Sequence, residues 1–258
     1  PMALCMAEVA LLDGLITGEQ ALPPVQLKTL RLGVVPDFWA NMDDEVAAIM
    51  AIVRLALEGV GVTFVEVDDI EIMALNNSVG FPVVFHEAYP DMVEYLATQG
   101  PGISIAELRA GIASPDVAGI YDTFVLPRKA LDAAGNIVDS APLYDYAQNV
   151  GRPALREHYK ALFARHRLDA FVFPTTPIVA PLARPDVSEP QNFSLLIQNT
   201  EPSASAGLPG IQLPVGIGAT TGLPVGLELD GHAGDDRRLL AIGIALENLL
   251  GRIAPARL

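Results

Sequence analysis

Apolar and polar positions along this chain switch between two periods. Residues 2–17, "MALCMAEVALLDGLIT", repeat at helical spacing and stop at Gly18. "LRLGVVPDF" (30–38) is a short buried strand broken by Pro36. From Met42 to Glu58 the helical period returns. Asp43, Asp44 and Glu45 fill its first turn, where the macrodipole favours acid, and Gly59 and Gly61 close it. "VTFVEVD" (62–68) is β-branched and alternating, so it predicts a strand. Strand, helix, strand in this order is the crossover unit of a parallel sheet.

The stretch from Glu71 to about Leu131 reads as mainly helical, interrupted at "PGIS" and "ASPD". "AAGNIVDSAP" (133–142) predicts a polar loop or short hairpin, and a helix follows over 155–166. "LDAFVFPTTP" (168–177) is a buried strand that ends in a Pro-flanked polar turn, and a long Pro/Gly loop covers 174–190. Two more strands, "PGIQLPVGI" and "LPVGLELDG", are joined by "GATTG", a hairpin loop. "DDRRLLAIGIALENLLG" (235–251) is the last helix. Gly-Leu-Pro occurs twice, at 207–209 and 222–224. There Gly permits entry at an unusual φ, and Pro at a strand's first position removes no ladder bond. The class is α/β, with a twisted mixed sheet covered by helices, and 258 residues suffice for a single domain over 1–258.

Charge and composition narrow the partners. The net charge of -15 argues against nucleic acid and anionic membranes. No apolar run approaches the ~20 residues of a membrane span. The single cysteine, Cys5, excludes an intrachain disulfide and a multi-cysteine zinc site, so a reducing cytoplasm is the expected compartment.

Candidate chemistry is sparse. "SASAG" around Ser205 resembles a nucleophile elbow, but Pro209 and a strand follow where the elbow needs a helix, so a tight small-residue turn is expected. "HEAYP" (86–90) begins like a zinc motif but has Pro90 where the second histidine belongs, which leaves His86 as a helical or near-surface histidine. His158 and His166 read as solvated. "GIGATTG" (216–222) lacks the third glycine and the helix of a dinucleotide site. No cofactor or metal is expected. "FPTTP" (173–177) differs: two hydroxyls stand at the end of a buried strand, where ligands of open α/β sheets bind. "NTEPSASAGLP" (199–209) has the same character. Thr175, Thr176, Asn199 and Thr200 are therefore the candidate substrate-binding residues.

"LDAFVFPTTPIVAP", "NTEPSASAGLPGIQLPVGI" and "GLPVGLELDGHAGDDRRLLAIGIALENLLG" resemble, in order and spacing over 168–251, the C-terminal part of the amidase signature family. "PMALCMAEVALLDGLITG" is similar to that family's Pro-Met-Ala segment, with Leu4 and Cys5 where the family usually has Arg and Thr. The resemblance implies amide hydrolysis by a Ser–cis-Ser–Lys triad. In the family that triad lies N-terminal to the Pro-Met-Ala segment, in a Gly/Ser-rich stretch. Lys28, Lys129 and Lys160 stand in other contexts here. The resemblance thus implies the C-terminal half of an amidase cut from a parent, with no catalytic residue of its own and inactive alone. Its substrate would be a small amide, in the style of the aryl-amide branch of the family. The alternative is a non-catalytic binding or scaffolding protein derived from an amidase. An exposed sheet edge would favour self-association.

Overall fold

The computed structural model describes residues 1–68, 71–100, 102–184, 187 and 189–254. In chain order the elements are α1 (Met6–Thr17), β1 (Arg31–Val34), α2 (Asp44–Gly59), β2 (Thr63–Glu66), α3 (Ile72–Asn77), α4 (Gly80–Thr98), α5 (Ile105–Ala110) and α6 (Pro115–Ile120). They continue with β3 (Lys129–Leu131), β4 (Ile137–Asp139), α7 (Ser140–Tyr146), α8 (Arg152–His166) and β5 (Ala170–Pro174). The last are α9 (Pro190–Ile197), α10 (Glu201–Ala206), β6 (Gly210–Ile217), β7 (Pro224–Asp230) and α11 (Asp236–Leu250). Two compact units result: Pro1–Asp69 with His158–Leu258, and Ile70–Glu157.

The first unit holds a five-stranded mixed sheet in the order β2-β1-β5-β7-β6. β1 runs parallel to β2 and β5, and β7 runs antiparallel to β5 and β6. The β1-α2-β2 crossover expected from the periodicity is present. Helix α2 buries Val46, Met50, Val53 and Leu57, one stripe at spacings of four and three. The core on that sheet face also takes Ala170 and Val172 of β5, Leu213 of β6, and Val225, Leu227 and Leu229 of β7. Side chains alternate across a strand, so Phe171, Phe173, Gly226, Glu228 and Asp230 lie on the opposite face. There Tyr159 and Phe163 of α8 meet Phe171 edge-on, and His232 stacks on Phe163 at 3.9 Å between ring centroids.

The glycines of both Gly-Leu-Pro units act as read, and Pro224 opens β7 as expected, whereas Pro209 stands one residue before β6. Gly207 (φ 72°) and Gly222 (φ 69°) adopt the left-handed conformation that favours glycine, and each leads within three residues into β6 or β7. The small-residue run before the first unit departs from its expected form. Glu201–Ala206 is a short six-residue helix, α10, rather than a tight turn, with Pro202 in its first turn and Ser203, Ser205 and Ala206 buried. Pro at that position is preset for a helix, and the buried face of small residues fits closely. The "GATTG" hairpin loop is held by the Glu45 carboxylate of α2, which accepts from the backbone N–H groups of Thr220 and Thr221 and from the Thr221 hydroxyl.

The second unit is helical with one hairpin, β3–β4, where the polar 133–142 stretch suggested it. Ser104 and Glu107 form a reciprocal capping box on α5. Phe81, Phe85 and Phe124 stack in series, with centroid separations of 5.4 and 4.6 Å. His86 is indeed helical: its Nδ1 lies 2.9 Å from Ser140 Oγ and its ring stacks on Tyr144.

Candidate functional site

Strand β5 is buried at every position and lies between β1 and β7. Its end delivers Pro174 into Thr175-Thr176-Pro177. Thr175 N–H donates to Gly226 O at 3.0 Å, which carries the ladder one residue past the strand. Thr176 Oγ1 donates to Ile178 O at 2.9 Å and closes its own turn.

Two side chains pin this loop from behind. Asp43, at the N-cap of α2, accepts from Val46 N at 2.8 Å with one carboxylate oxygen and from Val179 N at 2.8 Å with the other. Its own backbone N–H donates to Pro177 O at 3.0 Å. Asn199 is 0% exposed. Its Nδ2 donates to Pro174 O and to Phe38 O, both at 2.8 Å, while Gln198 Nε2 donates to its Oδ1 at 3.0 Å. Trp39 Nε1 donates to Val172 O at 2.8 Å in the same neighbourhood. The structure thus brings Asn199 against the strand end that carries Thr175, with its amide protons committed to backbone carbonyls. Thr200 follows at the head of α10, where its side chain makes no capping bond.

Sequence reasoning missed Glu228 and Asp230. They lie two apart on β7 and share the face away from the main core. Register sets Gln212 of β6 opposite Glu228, and Gly210 opposite Asp230. Burial pushes the Glu228 carboxyl up to about 7, against a downward pull from its hydrogen bond with the Thr175 hydroxyl. Asp230, 1% exposed, is raised well above the carboxylate range, first by burial and then by Glu228, with Ser203 pulling it down. Two acids at alternate positions of an otherwise apolar strand are the sequence signal that could have found them.

The elbow candidate is not supported by its base. His232 Nε2 lies 3.0 Å from Leu168 O, which commits the only histidine after Ser205 to the backbone. Among the described residues no group of three or more His, Cys, Asp or Glu is placed to hold a metal ion, and no helix is long and apolar enough to cross a membrane.

A family model described as Amidase matches residues 20–240. The chain belongs to the amidase family. Among curated amidase relatives, mandelamide hydrolase of Pseudomonas putida is 37% identical over 252 residues, which cover 98% of this chain and 50% of that protein. Indoleacetamide hydrolase of Rhizobium radiobacter is 37% identical over 258 residues, 97% of this chain and 53% of that protein. The chain spans about half the length of the curated relatives it matches. Solved structures agree on the fold. A crystal structure of an amidase superposes with a TM-score of 0.69 at 22% identity, over 96% of this chain and 51% of that one. The peptide amidase of Stenotrophomonas maltophilia gives 0.60 at 20% identity, over 89% and 45%. The amidase fold therefore accounts for the mixed sheet, and the relatives are hydrolases of amides by name.

Proposed function

We propose that this chain is the substrate-holding part of an enzyme that hydrolyses a carboxamide to a carboxylic acid and ammonia. The Ser–Ser–Lys machinery of the amidase family lies, in this reading, on a segment outside these 258 residues, and the chain alone is inactive. Its substrates are aryl carboxamides, the class to which mandelamide and indoleacetamide belong. The observation that carries the reading is the pinned loop at the end of β5. Asp43 and Asn199 hold its backbone from two sides in a chain 37% identical to two such hydrolases. Thr175, Thr176 and Thr200 line one wall of the acyl site, and Asn199 shapes that wall from behind. Strand ends of α/β sheets are where such sites gather.

The test is ammonia release from mandelamide, indoleacetamide and acetamide, by this chain alone and by the full-length protein that carries the catalytic segment. Turnover by the full-length protein only, faster on the aryl amides, is the expected result. Turnover by the chain alone overturns the assignment of the triad. Silence from the full-length protein on all three overturns the hydrolase reading and favours a binding remnant.

The outer edge of β6 is the surface through which a second copy would pair. Pro214 withholds an N–H there, and the ladder slips between Pro214 and Gly216, so pairing is weak. Sedimentation at rising protein concentration measures it, and a mass independent of concentration removes this assignment.

A further inference from the structure

Three side-chain amides run from the protein surface to the end of β5. Asn41 Nδ2 donates to Gln198 Oε1 at 2.8 Å, Gln198 Nε2 donates to Asn199 Oδ1 at 3.0 Å, and Asn199 Nδ2 donates to Pro174 O at 2.8 Å. Backbone carbonyls fix their directions, because a carbonyl can only accept. Pro174 O and Phe38 O turn the Asn199 nitrogen toward themselves and leave its oxygen to Gln198. Asp37 O, 3.0 Å away, and Ala40 O, 3.4 Å away, turn the Gln198 nitrogen in the same manner and leave its oxygen to Asn41. Among the described residues Gln198 is the only donor to Asn199 Oδ1, in a side chain with no exposed surface. A buried acceptor that loses its donor costs more than the bond itself contributes. Asn41, at the outer end, is exposed and holds φ 62°, a left-handed conformation that asparagine tolerates better than most side chains.

The carbonyls gathered by Gln198 and Asn199 come from the exits of two strands. Asp37, Phe38 and Ala40 belong to the turn after β1, and Pro174 ends β5. β1 and β5 are parallel neighbours, so these exits lie side by side. The crevice at such exits is where open α/β sheets bind ligands. Resting on the reading above, we infer that Gln198 and Asn41 are positioning residues for amide hydrolysis. They hold the Asn199 amide in the one orientation that staples the exits of β1 and β5 together, and so set the place of Thr175 and Thr176 at the substrate. Neither residue meets the substrate, and the effect passes through Asn199. The polarity of the relay matters, not its bulk. A carboxylate at position 198 has the shape of the amide yet turns an acceptor toward the oxygens of Asp37, Ala40 and Asn199.

Gln198→Glu is therefore the telling variant. In the 258-residue chain, NMR reads the Asn199 side-chain NH2 protons and the Thr175 amide. The wild type should give two separated, slowly exchanging Asn199 signals. Gln198→Glu should speed their exchange about tenfold and move the Thr175 amide, with the far-UV CD spectrum unchanged. In the full-length protein it should lower kcat/KM for mandelamide about tenfold, as the loss of one ordinary hydrogen bond requires. Asn41→Gly, which suits the left-handed backbone, should lower it severalfold, and tests the same link should the glutamate variant not fold. Combined with Gln198→Glu it should add no further loss, since both act through one relay. Slow Asn199 exchange with an unmoved Thr175 amide in Gln198→Glu overturns the inference, and so does wild-type kcat/KM in that variant or a combined loss equal to the product of the two. A full-length protein that hydrolyses no amide sinks the hydrolase reading instead, and the exchange measurement then decides the staple by itself.

Discussion

Asp230 and Glu228 make the fold work against itself as pH rises. Both carboxyls titrate above their ordinary range in the folded state, so the fold favours their protonated forms. The stability they contribute is present below the ordinary carboxylate range. For Glu228 it is lost as pH climbs from 4.5 to about 7. Each pH unit across that window is worth ~1.4 kcal/mol, so Glu228 loses on the order of 2–3 kcal/mol once its partial exposure is discounted. Asp122, Asp132 and Glu107 are displaced the other way by their hydrogen bonds, so their contribution disappears at acid pH. The expected outcome is a Tm that falls between about pH 5 and about pH 8, with Asp230→Asn and Glu228→Gln each flattening the slope. Calorimetry across that range checks it, and a slope unchanged in both variants would refute it. Asn199 is the other residue with a sharp signature. Asn199→Leu strands the carbonyls of Phe38 and Pro174 and should cost about 1–3 kcal/mol by urea denaturation.

At the scale of elements, α2 and the β5 loop are one mechanical piece. Asp43 both caps the helix and holds Val179, so Asp43→Ala removes two anchors at once. The expected loss is about 1–2 kcal/mol for the cap, with faster hydrogen exchange at the Val179 amide. Unchanged exchange there would show that the loop stands by itself. Most elements were legible in the sequence because their signals are local. The α2 stripe repeats every three to four residues, and the acids that open the helix precede it directly. β5 is a continuous apolar run because both its faces are covered. α10 was not legible, since Ser and Ala next to Gly-Leu-Pro carry the local signature of a turn. Only packing of Ser203, Ser205 and Ala206 decides for the helix. Thr175 and Thr176 could be picked out from their place at a strand end. The carboxyl pair could not be placed, because its burial comes from strands that meet β7 only through the sheet register.

For the whole molecule, charge sets the behaviour. A net charge of -15 on 258 residues repels itself, and the compact state concentrates that repulsion. Added salt should raise the Tm, most steeply up to about 0.15 M, where screening already acts within ~8 Å. A Tm insensitive to sodium chloride would show that the acids are locally balanced.

Trp39 is the single tryptophan of the chain, and its indole N–H is tied to the Val172 carbonyl of β5. The protein therefore carries its own optical gauge of the strand that delivers Thr175. Emission excited near 295 nm comes from that one indole, so its wavelength reports the wetness of a single spot. If that strand end breathes or is displaced, the spectrum shifts to the red before the rest of the fold has melted. Stopped-flow mixing can then time the event without any label.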